Sequence, residues 1–126
     1  MQKKVAIIED EAELAALLEY NLGRQGLLTR VISGCKGAVE QLENWKPDLI
    51  ILDVNLPKHN GGEVLAQVRG DPAFSLVPVL MLTSSASPAD QATASRLGAN
   101  LYIQKPSDLD AFLGLGKVIA SLLADR

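Results

Sequence analysis

The chain has 126 residues and a formal net charge of −3, which suits one domain and leaves no room for a second. Hydrophobic residues make up 48% and charged residues 21%, the balance of a soluble globular protein rather than a disordered tail. The acidic balance excludes a general nucleic-acid binder, no apolar run reaches the ~18–20 residues that span a bilayer, and Cys35, the only cysteine, excludes an internal disulfide or a thiolate zinc cluster.

The first apolar run, Val5–Ile8, is too short for a signal peptide and is followed at once by Glu9-Asp10-Glu11, so a cytoplasmic protein is expected. The run reads as a strand. Leu14, Leu17, Leu18 and Leu22 then follow the i, i+3, i+4, i+8 spacing of one helical stripe, with Gly26 as its stop. Leu27–Ile32 is the second strand, and Val39 and Leu42 mark a short helix ending before Pro47. Leu49–Leu52 is the third strand, followed by a helix carrying Val64, Leu65 and Val68. Val77–Leu82 is the fourth, after which Ser87-Pro88 reads as a cap and first turn of a helix stopping near Gly98. Leu101–Ile103 is the fifth, and Ser107 caps a last helix with the stripe Leu109, Phe112, Leu113, Ile119 and Leu122. Gly114 and Gly116 count against that helix, at ~1 kcal/mol each.

The apolar runs are continuous rather than alternating, as in strands covered on both faces. The expected fold is therefore α/β: five βα units forming a doubly wound, five-stranded parallel sheet, flavodoxin-like, within one domain spanning residues 1–126 and without an output domain. In such sheets a ligand site lies beyond the carboxyl ends of the strands.

Those ends carry chemistry. The first strand runs into Glu9 and Asp10, the third into Asp53 with Asn55 two residues on, the fourth into Thr83-Ser84-Ser85, and the fifth into Lys105-Pro106. Three clustered acids repel one another, and a hard divalent cation with oxygen ligands removes the conflict. Mg²⁺ suits the set because it uses one or two carboxylates and leaves positions for phosphate oxygens. Taken singly, each of these residues is equally at home as a cap or turn. It is their conjunction that carries information.

With Glu9-Asp10, Asp53-Val54-Asn55-Leu56-Pro57, Gly61-Gly62, Thr83 and Lys105-Pro106 in this order, the chain from Lys3 to about Leu123 resembles the CheY-like receiver domains of two-component response regulators. The resemblance implies that Asp53 is a phosphoacceptor supplied by a sensor histidine kinase. It also implies that Asp10, Asp53 and the Asn55 backbone carbonyl hold Mg²⁺, with Glu9 acting through water. Lys105 would pair with the acceptor and then with the phosphoryl group, and Thr83 would bond a phosphoryl oxygen. Tyr102 occupies the place of the family's aromatic switch, and Lys105-Pro106 that of a peptide bond usually cis. Ser84 stands where the family more often has alanine, and the residues at Asn55 and Ser85 tune phosphoryl lifetime in the family. A finer resemblance, carried by the 56–65 segment and by Asp71-Pro72 with Val77-Pro78-Val79, is to single-domain regulators paired with bacterial phytochromes.

Other residues have ordinary readings. His59, the only histidine, is a solvated loop residue, since a transition-metal site needs further N or S ligands. Cys35 is a small packing residue, Trp45 packs at the end of the second helix, and Asp90, Asp108 and Asp110 are solvated or first-turn acids. Tyr102 is also explicable as a partly buried strand aromatic.

Two other functions compete with a phosphorylation-controlled interaction module. A haloacid-dehalogenase-type phosphatase carries a second acid two residues after its nucleophile, where this chain has Asn55, which cannot exchange a proton. A degenerate receiver acting as a constitutive interaction module would not need the full set Glu9, Asp10, Asp53, Thr83 and Lys105. No turnover of an external substrate is expected. The same resemblance implies output through the fourth helix, fifth strand and fifth helix, roughly Pro88 to Leu123, with Leu101 and Leu115 as apolar residues that a target or a second copy in a homodimer would cover.

Overall fold

Five short strands separated by helices form one parallel sheet in the order β2-β1-β3-β4-β5. The strands are β1 (Lys4–Ile8), β2 (Leu28–Ile32), β3 (Leu49–Asp53), β4 (Val79–Thr83) and β5 (Leu101–Gln104). The helices are α1 (Ala12–Arg24), α2 (Ala38–Trp45), α3 (Gly61–Gly70), α4 (Pro88–Leu97) and α5 (Leu109–Ala124), with a single 3-10 turn at Pro72–Phe74. In this computed structural model residues 2–9, 11–32, 37–53, 61–83, 88–104 and 109–124 are described; at 53, 61–64, 83, 90, 91, 93, 94, 97, 109, 112 and 113 the description covers the backbone alone. The α/β, doubly wound architecture expected from the sequence is the one observed.

Alternate strand residues build two cores. Ala6, Ile8, Ile50, Leu52, Val79 and Met81 face Leu42 of α2 and Leu65 and Val68 of α3, while Val5, Ile7, Leu49, Ile51, Leu80 and Leu82 face Leu18 and Leu22 of α1 and Leu115, Ile119 and Leu123 of α5. Each fully buried Leu or Ile contributes ~1.5–3 kcal/mol. Two-sided coverage explains the continuous apolar runs. β2 departs from it: as an edge strand it leaves Leu28 and Arg30 exposed.

Several boundaries and faces differ from expectation. Val77 belongs to the turn before β4, where its N–H donates to the Phe74 carbonyl (3.1 Å). α5 runs through both glycines, and Gly116 is buried where α5 crosses α1: a Cβ there would lie 2.5 Å from Asn21 Oδ1. That close approach selects the buried stripe Leu115, Ile119 and Leu123. Leu122, expected inside, is 38% exposed, and Leu115, expected on the surface, is 7% exposed and belongs to the core. Leu101 is half-buried against the same cluster. α1 ends as its sequence predicts: Gly26 has φ +80°, and Leu27 N–H returns to the Leu22 carbonyl at 3.2 Å.

Candidate functional site

The chain steps from β1 outward to β2 and then back across to β3, so β1 and β3 flank the point where the winding reverses. In open α/β sheets this crevice, at the carboxyl ends, is where ligands bind. Ile8 pairs with Leu52 in register, so the next residues along, Glu9 and Asp53, leave adjacent strands side by side, at a strand spacing of ~4.8 Å. Asp53 pairs with Leu82, and Thr83 with Gln104. The backbones at Glu9, Asp53 and Thr83 are thus gathered at one edge of the sheet, as the sequence predicted, and Lys105 follows Gln104 in the chain.

Glu9 is the best-defined carboxylate there. Its N–H donates to the Ile32 carbonyl (3.1 Å), which extends the β1–β2 pairing by one residue, and its side chain is 2% exposed. Its Oε1 accepts from the Glu11 N–H at 3.1 Å. Glu11 is the N-cap of α1 and has no side-chain cap of its own, so the Glu9 carboxylate serves the positive end of that helix. A carboxylate whose backbone lies beside that of Asp53 at one strand edge fits a cation site, because neighbouring acids repel one another unless a cation lies between them. The donors in the candidate set are all oxygens, as a hard divalent cation requires. Among the described residues no group of three possible metal ligands occurs. Asp10, Asn55, Lys105, Pro106, His59, Cys35 and Asp108 lie outside the described residues, as do the side chains of Asp53, Thr83 and Asp90, so the Lys105-Pro106 isomer lies outside them too.

Tyr102 sits on β5 paired with Met81, half-buried against the Ile8, Leu52 and Met81 core. Its Oη is shielded from solvent and has no hydrogen-bond partner among the described residues. Trp45 packs against the same core at the end of α2, with Lys4 Nζ 5.7 Å and the Arg30 guanidinium 5.4 Å from its ring centre.

Sequence reasoning passed over Arg69, in the last turn of α3. Its guanidinium donates to the carbonyls of Gly98, Phe74 and Val77 (each 2.9 Å) and to Asn100 Oδ1 (2.6 Å). Three of these acceptors are backbone oxygens, which every residue carries, so no motif could have revealed them.

The family model for response regulator receiver domains matches residues 5–115. The alkaline phosphatase synthesis transcriptional regulatory protein PhoP of Bacillus subtilis is 41% identical over 106 residues, covering 84% of this chain and 43% of that protein. The chain therefore spans less than half the length of this curated relative. The phosphorylated cyanobacterial phytochrome response regulator RcpA has a similar structure (TM-score 0.82, 28% identity, 98% of this chain and 95% of that one). So does the Mn²⁺-bound response regulator Rcp1 (TM-score 0.77, 27% identity, 94% and 92%).

Proposed function

This chain belongs to the response regulator receiver domains, the signalling modules of two-component systems, and we propose that Asp53 is the residue it offers for phosphorylation. The observation that carries this reading is the register that sets Asp53 beside Glu9 at the β1–β3 reversal, with Thr83 closing β4.

Phosphoryl transfer depends on positioning and on stabilising an in-line transition state. A carboxylate oxygen of Asp53 attacks phosphorus as the phosphorus–nitrogen bond to the kinase histidine breaks. The Lys105 ammonium and the Thr83 hydroxyl balance charge on the peripheral oxygens. Asp10, Asp53 and the Asn55 carbonyl would hold Mg²⁺, with Glu9 reaching it through water. A bound Mg²⁺ would supply further charge neutralisation to the phosphoryl oxygens. Phosphorylation adds about −1.5 to −2 charge at one point. Thr83 is drawn toward that charge, and Tyr102 follows into the space Thr83 leaves, which alters the α4–β5–α5 face.

Receiver domains take their input from sensor histidine kinases, and the likeness to RcpA favours a bacterial phytochrome as the donor. Asn55, two residues after Asp53, leaves no second acid for a phosphatase cycle. Residues 1–126 act as one receiver unit. No described helix is long and apolar enough to cross a membrane.

Intact-mass measurement after acetyl phosphate and Mg²⁺ tests the assignment. The wild type gains one phosphoryl group, and both Asp53→Asn and the wild type in excess EDTA gain none. Undiminished labelling of Asp53→Asn would overturn it.

A further inference from the structure

β2 is the outer strand of the sheet, and no described strand pairs with its second edge. Its ladder to β1 begins where Leu28 N–H donates to the Lys3 carbonyl (2.9 Å) and ends where Glu9 N–H donates to the Ile32 carbonyl (3.1 Å). A parallel ladder uses the backbone groups of every second residue, here Leu28, Arg30 and Ile32. The N–H and carbonyl groups of Thr29 and Val31 therefore point outward, away from β1.

The two faces beside this edge differ in charge. Thr29 and Val31 face α1, where the Thr29 hydroxyl donates to the Glu19 carboxylate (3.2 Å). Leu28 and Arg30 face α2, and Leu28 is 44% exposed. There the Arg30 guanidinium and Lys4 Nζ share one ring, that of half-buried Trp45, at 5.4 and 5.7 Å from its centre. Lys4 Nζ is fixed by donating to the Trp45 carbonyl (3.0 Å). Among the described residues Arg30 has no carboxylate partner, and the Trp45 ring is what holds it. A stacked guanidinium keeps its N–H edge in a set orientation, which suits bidentate capture of a carboxylate. Tryptophan and arginine are also the side chains that dominate binding hot spots.

We infer that the outer edge of β2 is a docking strand for an extended acidic segment of a partner protein. The segment adds a strand through the backbone groups of Thr29 and Val31 and sets a carboxylate against Arg30 and Lys4. Glu19 repels acids on the α1 face, so the acidic side chains of the segment take the α2 face. A second copy does not fit. Two β2 strands joined antiparallel through Thr29 and Val31 would set the two Arg30 side chains opposite each other, and like charges so placed destabilise a sheet. The inference does not depend on which residue is phosphorylated.

Titrating the full chain with the peptide acetyl-Val-Glu-Val-Glu-Val-amide, and with its counterpart carrying Lys for Glu, tests it. Trp45 is the only tryptophan, so its fluorescence reports contact with the α2 face, while NMR follows the amides of β2. The acidic peptide is expected to change Trp45 emission and to slow hydrogen exchange at Thr29 and Val31 by about tenfold or more, and the lysine peptide to do neither. Losing a hydrogen bond to a charged group costs about tenfold or more in affinity. Arg30→Gln therefore weakens the acidic peptide by that factor, and Arg24→Gln, on α1, leaves it unchanged. Thr29→Pro removes an outward donor without touching the ladder to β1, and it also weakens binding. If that variant fails to fold, exchange at Thr29 and Val31 in the wild type still decides strand addition. No binding of the acidic peptide at millimolar concentration overturns the inference, as do equal binding of both peptides, undiminished binding by Arg30→Gln, or unaltered exchange at Thr29 and Val31. Self-association of Arg30→Gln in sedimentation, with no peptide bound by the wild type, would leave Arg30 as a guard against edge pairing alone and overturns it equally.

Discussion

Gly116 of α5 rests on Asn21 of α1 so closely that a Cβ would stand 2.5 Å from the amide oxygen and 3.2 Å from the backbone oxygen. Asn21 is buried and cannot simply swing away. Gly116→Ala gains ~1 kcal/mol of helix propensity, but overpacking typically costs ~1–3 kcal/mol, so the variant is expected to be net destabilised. At Gly114 a Cβ meets nothing within 4 Å, and Gly114→Ala keeps the propensity gain. Urea unfolding of the two variants should move in opposite directions.

Tyr102→Phe is expected to stabilise the unmodified protein by ~1 kcal/mol, because it deletes an enclosed hydroxyl that lacks a partner among the described residues. Thermal unfolding checks this. The same change should favour the inward ring and so weaken any response to beryllofluoride.

Glu43 gives the stability a pH dependence. Its hydrogen bond to the Asp71 side chain, then burial, then the charges of Asp71 and Glu40 hold its carboxyl above the usual value. A folded-state pKa raised above the unfolded one favours the protonated fold. That stability is full below the unfolded pKa and is lost as pH rises through the folded one. This exposed group should therefore make the wild type slightly less stable as pH rises through its titration, and Glu43→Gln should remove that small contribution. Urea midpoints at acidic and neutral pH measure the difference.

Val118 and Leu122, one turn apart on α5, are 45% and 38% exposed, and Leu122 borders a groove of about 160 Å³ formed with Pro78 and Leu101. They replace Leu115 as the apolar residues of the expected output face. If phosphorylation biases that face, beryllofluoride should change self-association or target binding by about 5- to 150-fold. Val118→Asp with Leu122→Asp should abolish the change in sedimentation and pull-down, and an unchanged response would exclude this face.

The elements were legible because the strands other than β2, which carries Thr29 and Arg30, are short apolar runs, and each break carries a glycine, proline or capping residue. The edge was legible because Glu9, Asp53 and Thr83 each stand at the end of such a run. The buried side of α5 was not. Leu109, Phe112, Leu113, Leu115, Val118, Ile119, Leu122 and Leu123 allow more than one stripe, and the choice falls to Gly116 fitting over Asn21. Arg69 left no trace in periodicity, since it acts on backbone oxygens. The contacts of Asp10, Asn55 and Lys105 lie outside the described residues, so their roles rest on the family pattern.

β1 lies inside the sheet, bonded to β2 on one side and β3 on the other. During synthesis Lys4–Ile8 emerges well before β3, so its second partner is not complete until Asp53 has followed. Parallel pairing gives no return until long loops have closed. A nascent chain halted before β3 therefore presents Val5–Ile8 to holdase chaperones, and one halted well beyond it can bury that run within the sheet.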